Sequence, residues 1–479
     1  MSKKKEQERL VKKLVKELNS GTLAVFAGAG LSMPAGYVNW RELLRPIAEE
    51  IELSIEKETD LVTLAQYYYN QKQANRGAIN QALIDEFSKE AEITENHKIL
   101  ARLPIDTYWT TNYDKLIEGA LSQAGKIPDV KYDVKQLVYT KPKRDAVIYK
   151  MHGDVDHPGD AVIIKDDYES YHVKMQPFLS ALGGDLISKT FLFIGLSFSD
   201  PNLDYILSRV RVSWSRNQRP HYSIMRKVKR EEGESLADFE YRERKQELFV
   251  QDLLRFGITT TLVEEYCEIT DILSEVERRY KQKSVFISGA ASEFGGFGKD
   301  EAESFVYELS RSLVNNGSKI ISGFGLGIGS AVITGALESI YSKKGGVIHD
   351  QLLLRPFPQS QVGSEDLREL WRSYREDMLS YAGVAIFIFG NKKEKDEVVL
   401  AGGVREEYEI AKTKGAVLLP VGATGYMAKE LWDEVVADSS INSFFTDDIK
   451  EKFAILGDEE KSLDEIRATL LEIVDEIRG

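Results

Sequence analysis

Four short clusters hold the residues of this chain that could do chemistry. Gly28-Ala29-Gly30 with Ser32 comes first, then Asn112 with Asp114, then His152-Gly153, then Gly195 with Ser197. Small residues let the main chain approach a phosphate closely, and the amide N–H groups they expose form an anion site. The third glycine of the usual G-x-G-x-x-G fingerprint is absent, with Met33 in its place. Asn112 adds a neutral amide that can donate and accept hydrogen bonds. His152 adds a side chain of near-neutral ordinary pKa, the natural proton acceptor at pH 7. The chemistry these types suggest is proton transfer beside a bound phosphate-bearing molecule.

Each cluster stands where an apolar run stops. Leu23 to Ala27 reads as a buried strand feeding the first glycines. Asp106 to Thr111, with the strand formers Tyr108 and Trp109, leads to Asn112. Val147 to Met151 delivers His152, and Phe191 to Ile194 delivers Gly195. Open α/β sheets collect ligands at such carboxyl ends. Beyond Ser197, Asp200-Pro201-Asn202-Leu203 starts a helix, with Pro201 in a first-turn position. From Trp40 to Lys98 the pattern is helical, with Leu43, Leu44, Ile47, Ala48 and Ile51 at 3.6-residue spacing and Tyr67 to Tyr69 as packing residues. The other histidines (His97, His157, His172, His221 and His349) lack a comparable setting and read as surface or satisfied core residues.

The 479 residues suffice for two or three domains, and 29% charged with 42% hydrophobic residues is an ordinary globular balance. A net charge of -14 argues against a nucleic-acid grip over the whole surface. Cys267 is the only cysteine, which excludes an internal disulfide and a cysteine zinc cluster and suits a reducing cytoplasm. No metal site is expected. No apolar run approaches the ~20 residues of a membrane span. The basic first segment carries Glu6, Glu8 and Glu17 and reads as an amphipathic helix rather than a secretion signal, with Leu10, Val11, Leu14, Val15 and Leu18 on one face.

The ordered motifs G-A-G-x-S (28–32), T-x-N-x-D (110–114), H-G (152–153) and G-x-S (195–197) resemble the sirtuin family of NAD-consuming enzymes. The resemblance implies that NAD+ binds as substrate along Ala27, Gly28, Ala29, Gly30, Ser32, Arg41, Asp114, Gly195 and Ser197. It implies Asn112 and His152 as the catalytic pair. Asn112 would bind a ribose hydroxyl and a water, and His152 would draw a proton from a ribose hydroxyl or from water. Asp114 could orient its loop or contact the carboxamide side. Two departures bear on the reaction. The four zinc cysteines of protein-deacylating sirtuins are missing, and Asn39-Trp40 replaces the familiar Asp-Phe before Arg41. Water becomes the expected acceptor, giving NAD glycohydrolase activity.

The run from Arg226 to Leu248 alternates acids and bases and reads as a solvated helical hairpin. A last strand (258–263) and a helix (269–280) lead to a boundary at Lys281-Gln282-Lys283, so domains at 1–283 and 284–479 are expected. A fresh α/β pattern then begins. Val285 to Ile287 ends in Ser288-Gly289-Ala290-Ala291, and Lys319 to Ile321 ends in Ser322-Gly323-Phe324-Gly325-Leu326-Gly327-Ile328-Gly329. Glycines this dense at a strand-to-helix turn suit a phosphate cradle. Ser364 can cap a helix whose Leu367, Leu370, Trp371, Tyr374 and Met378 share a face, with Arg375 at its edge. Val384 to Phe389 ends before Lys392, and Gly402-Gly403 opens a helix bearing Glu407.

This half resembles the SLOG group of Rossmann-like nucleotide-binding domains. The fusion of a sirtuin-like front to a SLOG rear is similar to the Thoeris A effectors of bacterial antiphage defence. HKILARLP, YKMHGDV, SKTFLFIG, DPNLDYILSRVR, SGFGLG, LRPFPQ and PVGATGY carry the likeness. The expected fold is therefore α/β, with two Rossmann-like parallel-sheet domains and a helical insertion in the first. The resemblance implies a cytoplasmic homo-oligomer, a tetramer favoured, that depletes NAD+ and aborts infection. Its activator would be a cyclic ADP-ribose isomer made by a partner with a Toll/interleukin-receptor (TIR) domain. The signal site would comprise Arg375, Lys392 and Glu407, completed by Arg355, Gly403 and the glycine residues Gly289, Ala290, Gly323, Gly325, Leu326 and Gly327. Surface salt bridges are the alternative reading of those charges. For the whole chain the competing readings are a sirtuin-type protein deacylase and a non-catalytic nucleotide sensor.

Overall fold

The computed structural model describes residues 3–214, 219–342, 351–357, 367–438 and 440–478. Ser364 and His349 lie outside the described residues. The chain divides into two compact units, Met1–Glu277 and Arg278–Gly479.

The first unit is built on β1 (Leu23–Ala27), β2 (Thr107–Thr110), β3 (Pro128–Lys131), β4 (Ala146–Lys150), β5 (Thr190–Ile194), β6 (His221–Arg226) and β7 (Ile258–Val263). They form one parallel sheet in the order β3-β4-β2-β1-β5-β6-β7. From β1 the chain builds one side of the sheet through β4, then crosses to β5 on the other side. The crevice between β1 and β5 is thus the switch point at which such sheets bind ligands. β1 and β5 are buried along their whole length, as their unbroken apolar runs require. The helix Lys3–Asn19 buries Leu10, Val11, Leu14 and Leu18 and rests on this sheet. Helices Trp40–Glu50, Leu61–Gln71, Gly77–Phe87 and Glu95–Arg102 form the insertion between β1 and β2. Within it Tyr68 is buried, while Tyr67 is 55% exposed.

Two strands were hidden by polar residues. In β3 the buried charges Asp129 and Lys131 pair at 2.8 Å and mask the strand pattern. In β6 the buried His221 accepts a hydrogen bond at Nδ1 from the Phe191 N–H, at 3.1 Å. The expected helical hairpin after it is instead a loop and the single helix Leu236–Leu253, capped by Ser235.

The second unit holds β8 (Ser284–Ala290), β9 (Lys319–Ser322), β10 (Leu352–Leu354), β11 (Val384–Phe389) and β14 (Val417–Pro420), a parallel sheet in the order β10-β9-β8-β11-β14. β12 (Asn391–Glu394) and β13 (Glu397–Leu400) form a separate antiparallel hairpin. Helices Lys299–Asn315 and Gly329–Ser342 pack closely at Gly335, where a Cβ would meet the Tyr307 carbonyl oxygen at 2.1 Å. Among the described residues no helix is long and apolar enough to cross a membrane.

Burial pushes the His221 pKa down to about 4. Between pH 4 and its ordinary value near 6.5 the unfolded chain therefore binds more protons than the folded one, and stability is lost as pH falls. His97, also lowered to about 4 by burial, acts in the same direction. The melting temperature should drop as pH goes from 6.5 towards 4, with a shallower slope in His221→Gln. An unchanged slope in that variant would exclude His221 as a source.

Candidate functional site

The crevice between β1 and β5 is closed by interlocking main chain. Gly28 N–H donates to the Ile194 carbonyl and Gly30 N–H to the Gly195 carbonyl, both at 2.9 Å. A Cβ on Gly28 would sit 2.6 Å from the Gly195 oxygen, and one on Gly195 would sit 2.3 Å from Leu31 N. Gly195 also takes φ +68°, a left-handed conformation that favours glycine. These two N–H groups are therefore spent on joining the strands, and the expected row of free donors for a diphosphate is shortened. Ala29, which is exposed, and Ser32 line the cleft, while Ala27 is wholly buried at the end of β1.

Asn112 sits at the end of β2 with 8% exposure. Its Nδ2 donates to the Gly28 carbonyl at 3.1 Å and to Ser32 Oγ at 3.0 Å. The amide is thereby oriented, with Nδ2 committed to the glycine loop. Asp114 caps the helix Leu116–Gln123 through Oδ1, which accepts from Leu116 N–H at 2.9 Å. Its buried Oδ2 has no hydrogen-bond partner. So Asp114 orients its loop, and one oxygen is left over.

Beneath both loops lies Lys150, the last residue of β4 and fully buried. Its Nζ donates to the carbonyls of Tyr113 (3.0 Å) and Asp114 (2.7 Å), and to Glu118 Oε1 (3.1 Å) and Asp154 Oδ2 (2.5 Å). Burial opposes the charge, but Glu118 and Asp154 overcome that and hold the ammonium above its usual range. One cation thus fixes the Asn112 loop to the His152 loop.

His152 is 6% exposed. Its carbonyl accepts from Val162 N–H at 2.9 Å, and the next residue, Gly153, has φ +95°. Nε2 lies 3.0 Å from Asp200 Oδ2. The approach is bent, and Nε2 makes no well-aligned hydrogen bond. Burial raises the Asp200 pKa, but His152 and the backbone N–H groups of Leu203 and Asn202 outweigh it and keep the carboxyl below its usual range. The sequence had marked Asp200 only as a helix start. Its position just past a G-x-S strand end was the available signal.

Gly28, Ala29, Gly30, Ser32, Arg41, Asn112, Asp114, His152, Gly195, Ser197 and Asp200 all line one cleft of about 1200 Å³. Asn39 caps the helix Trp40–Glu50 by accepting from Glu42 N–H, filling a structural role at the departed motif position. The Arg41 guanidinium donates to the carbonyls of Ile55 and Glu58, and so ties the first helix of the insertion to the loop that follows it. Ser197 is exposed, its Oγ 2.7 Å from that of Ser199.

In the second unit several expectations change. Gly289 and Ala290 lie within β8, not in a turn after it. The dense glycines answer to packing: a Cβ would meet Phe357 at 2.4 Å from Gly323, the Gly289 oxygen at 2.0 Å from Gly325, and the Ala291 oxygen at 1.9 Å from Gly327. Leu326 receives a hydrogen bond from Ala291 N–H and leaves its side chain 66% exposed. Arg375 is buried rather than at a helix edge. Its guanidinium contacts Glu406 at 2.6 Å and Glu407 at 3.5 Å and lies over the Phe357 ring. A Cβ on Gly403 would come within 2.8 Å of Arg375 Nη2. Glu407, whose pKa burial pushes up, accepts from Ser288 Oγ at 2.5 Å. Lys392 pairs with Glu394 on the hairpin and Arg355 with Asp377. The structure brings Arg375, Gly403 and Glu407 together, and no ion pair joins Lys392 or Arg355 to them among the described residues.

Residues 106–248 match a family model described as a SIR2-like domain, and residues 268–477 match the Sir2- and TIR-associating SLOG family. Proteins named NAD(+) hydrolase ThsA are similar over nearly the whole length. That of Bacillus cereus is 53% identical, covering 98% of each chain, and that of Cytobacillus dafuensis is 48% identical, covering 99% of this chain and 97% of its own. Defense-associated sirtuin 2 of Bacillus subtilis is 31% identical over 42% of this chain and 20% of its own.

Removing the Lys150 charge should be costly, because Glu118 and Asp154 would be left buried without it. Lys150→Met is expected to lower unfolding free energy by about 3–5 kcal/mol, read from urea denaturation. A loss below about 1 kcal/mol would show that the two carboxylates do not depend on Lys150.

Proposed function

The chain belongs to the family of NAD(+) hydrolase ThsA, and from that membership we propose that residues 1–283 hydrolyse NAD+ to nicotinamide and ADP-ribose. The observation that carries this reading is the convergence of Asn112 and His152, from separate strands, on one cleft beside the glycine loop. The bond between ribose C1′ and the nicotinamide nitrogen breaks, and its electron pair neutralises the departing ring. Water oxygen bonds to the oxocarbenium-like C1′ and gives up a proton. Asn112, held through Nδ2, presents its carbonyl oxygen to a ribose hydroxyl or to that water. His152 accepts the proton, from the water directly or from a ribose hydroxyl. Ala29 and Ser32 lie where the diphosphate would pass, and Asp114 Oδ2 offers an acceptor to the carboxamide.

Asn112→Ala and His152→Ala should each reduce nicotinamide release by ~100- to 10,000-fold, the usual contribution of a positioned acid–base group. Folded variants that work at the parental rate would overturn the assignment.

Residues 284–479 are proposed to sense a cyclic ADP-ribose isomer made by a TIR-domain partner, so that NAD+ is depleted and infection aborted. The match to a Sir2- and TIR-associating SLOG family supports this, as does a buried arginine beside a buried carboxylate, suited to a diphosphate and a ribose hydroxyl. The ligand activates only by binding the active state more tightly than the resting one. A homo-oligomer, with a tetramer favoured, is part of the same proposal.

Calorimetric titration with the cyclic nucleotide tests the site. Arg375→Ala should lose binding together with some stability, since Glu407 loses its cation. Lys392→Ala, on a half-exposed hairpin, should lose binding with little change in melting. Tight binding retained by both would overturn the site.

A further inference from the structure

Asp200 is the charged group closest to His152, yet no step above uses it. Its carboxylate is held in one orientation. Oδ1 accepts from Leu203 N–H at 2.9 Å, capping the helix Pro201–Trp214, so Oδ2 is turned towards the imidazole. Tyr168 lies against the same pair, its hydroxyl 3.4 Å from Oδ2 and its ring edge-on to His152 with centroids 5.6 Å apart. Tyr113 flanks the imidazole at 6.4 Å. Among the described residues no lysine or arginine pairs with Asp200, and Oδ2 faces His152 at 3.0 Å and, more distantly, the Tyr168 hydroxyl that donates to it.

We propose that Asp200 is a positioning residue that holds His152 as the Nε2–H tautomer and so makes Nδ1 the nitrogen that accepts the proton. The inference rests on the reading of His152 as the proton acceptor. A carboxylate 3.0 Å from Nε2 stabilises a proton on that nitrogen and destabilises its lone pair there. Nε2 is also sealed from solvent. His152 lines the cleft, and Nδ1 is its ring nitrogen left to meet water or a ribose hydroxyl. When that proton arrives on Nδ1, the imidazolium forms beside an anion already in place. No reorganisation is needed at the moment of reaction.

Asp200→Asn separates this role from the capping role. The amide oxygen can keep the Leu203 N–H bond, since asparagine caps helices as well as aspartate. The amide nitrogen then takes the place of Oδ2 and can only donate, which forces Nε2 to accept and moves the proton to Nδ1. An aspartate-to-asparagine change that imposes the wrong histidine tautomer costs ~10,000-fold in kcat in the serine-protease triad.

The experiment uses the full chain. Nicotinamide release from NAD+ is followed for the parent, His152→Ala, Asp200→Asn and Asp200→Glu, alongside 15N spectra of histidine-labelled parent and Asp200→Asn. Asp200→Asn is expected to lose ~100- to 10,000-fold in kcat with KM nearly unchanged, and Asp200→Glu to recover part of that loss. The 15N pattern of His152 should change from Nε2–H to Nδ1–H, with melting close to the parent. If His152→Ala stays active, the reading of His152 itself falls. If His152→Ala is inactive but Asp200→Asn turns over normally, the role of Asp200 is overturned. A parent spectrum with the proton on Nδ1 overturns it even if the variant fails to fold.

Discussion

The buried ammonium of Lys150 sets the terms for the first unit. Two loops leave neighbouring strands β2 and β4, and each carries one of the groups proposed for chemistry. Loops at strand ends are held only by what lies beneath them. Here two backbone carbonyls and two carboxylates converge on a single Nζ, so the loops cannot drift apart without exposing an unpaired buried charge. Such a network is of high consequence because every member depends on the others. It positions the Asn112 and His152 loops without either side chain bonding to the ammonium, and the side chains are oriented separately, Asn112 by Gly28 and Ser32 and His152 beside Asp200.

The second unit shows a different use of buried charge. Arg375 is already paired with Glu406 and Glu407, and Glu407 is also bonded to Ser288. On the proposed reading Arg375 would meet a phosphate by exchange, giving up an internal carboxylate for the phosphate oxygens of the ligand. The net gain is the difference between two charge-assisted contacts, smaller than either alone. Selectivity then favours a ligand that also supplies a partner for the displaced carboxylate, which a ribose hydroxyl does.

Much of the architecture was legible because it rests on apolar strands and the glycines that follow them. β1, β5 and β11 were read almost to the residue, since strands buried on both faces have unbroken hydrophobic runs. β3 and β6 were not, because Asp129, Lys131 and His221 are buried with partners distant in sequence. The cleft's composition was likewise anticipated from strand ends. The Asp200 contact was not: a helix-capping aspartate reads the same whether or not its second oxygen meets a histidine. For the glycine loop after β9 the spacing shows where glycine is needed but does not separate a phosphate cradle from close packing against Gly289 and Ala291.

The interlock of Gly28, Gly30 and Gly195 also bears on how this crevice can change over evolutionary time. A crowded side chain is ordinarily relieved by shrinking its neighbour. At these positions an added methyl would meet main-chain atoms, Gly195 O from Gly28, Gly195 Cα from Gly30 and Leu31 N from Gly195. No single compensating replacement removes a backbone atom. Variation is therefore steered away from the floor of the cleft and towards its walls, where Met33, Trp40 and Tyr168 can exchange without moving a strand. New substrate preferences in descendants of this fold should arise from those walls while the three glycines stay fixed.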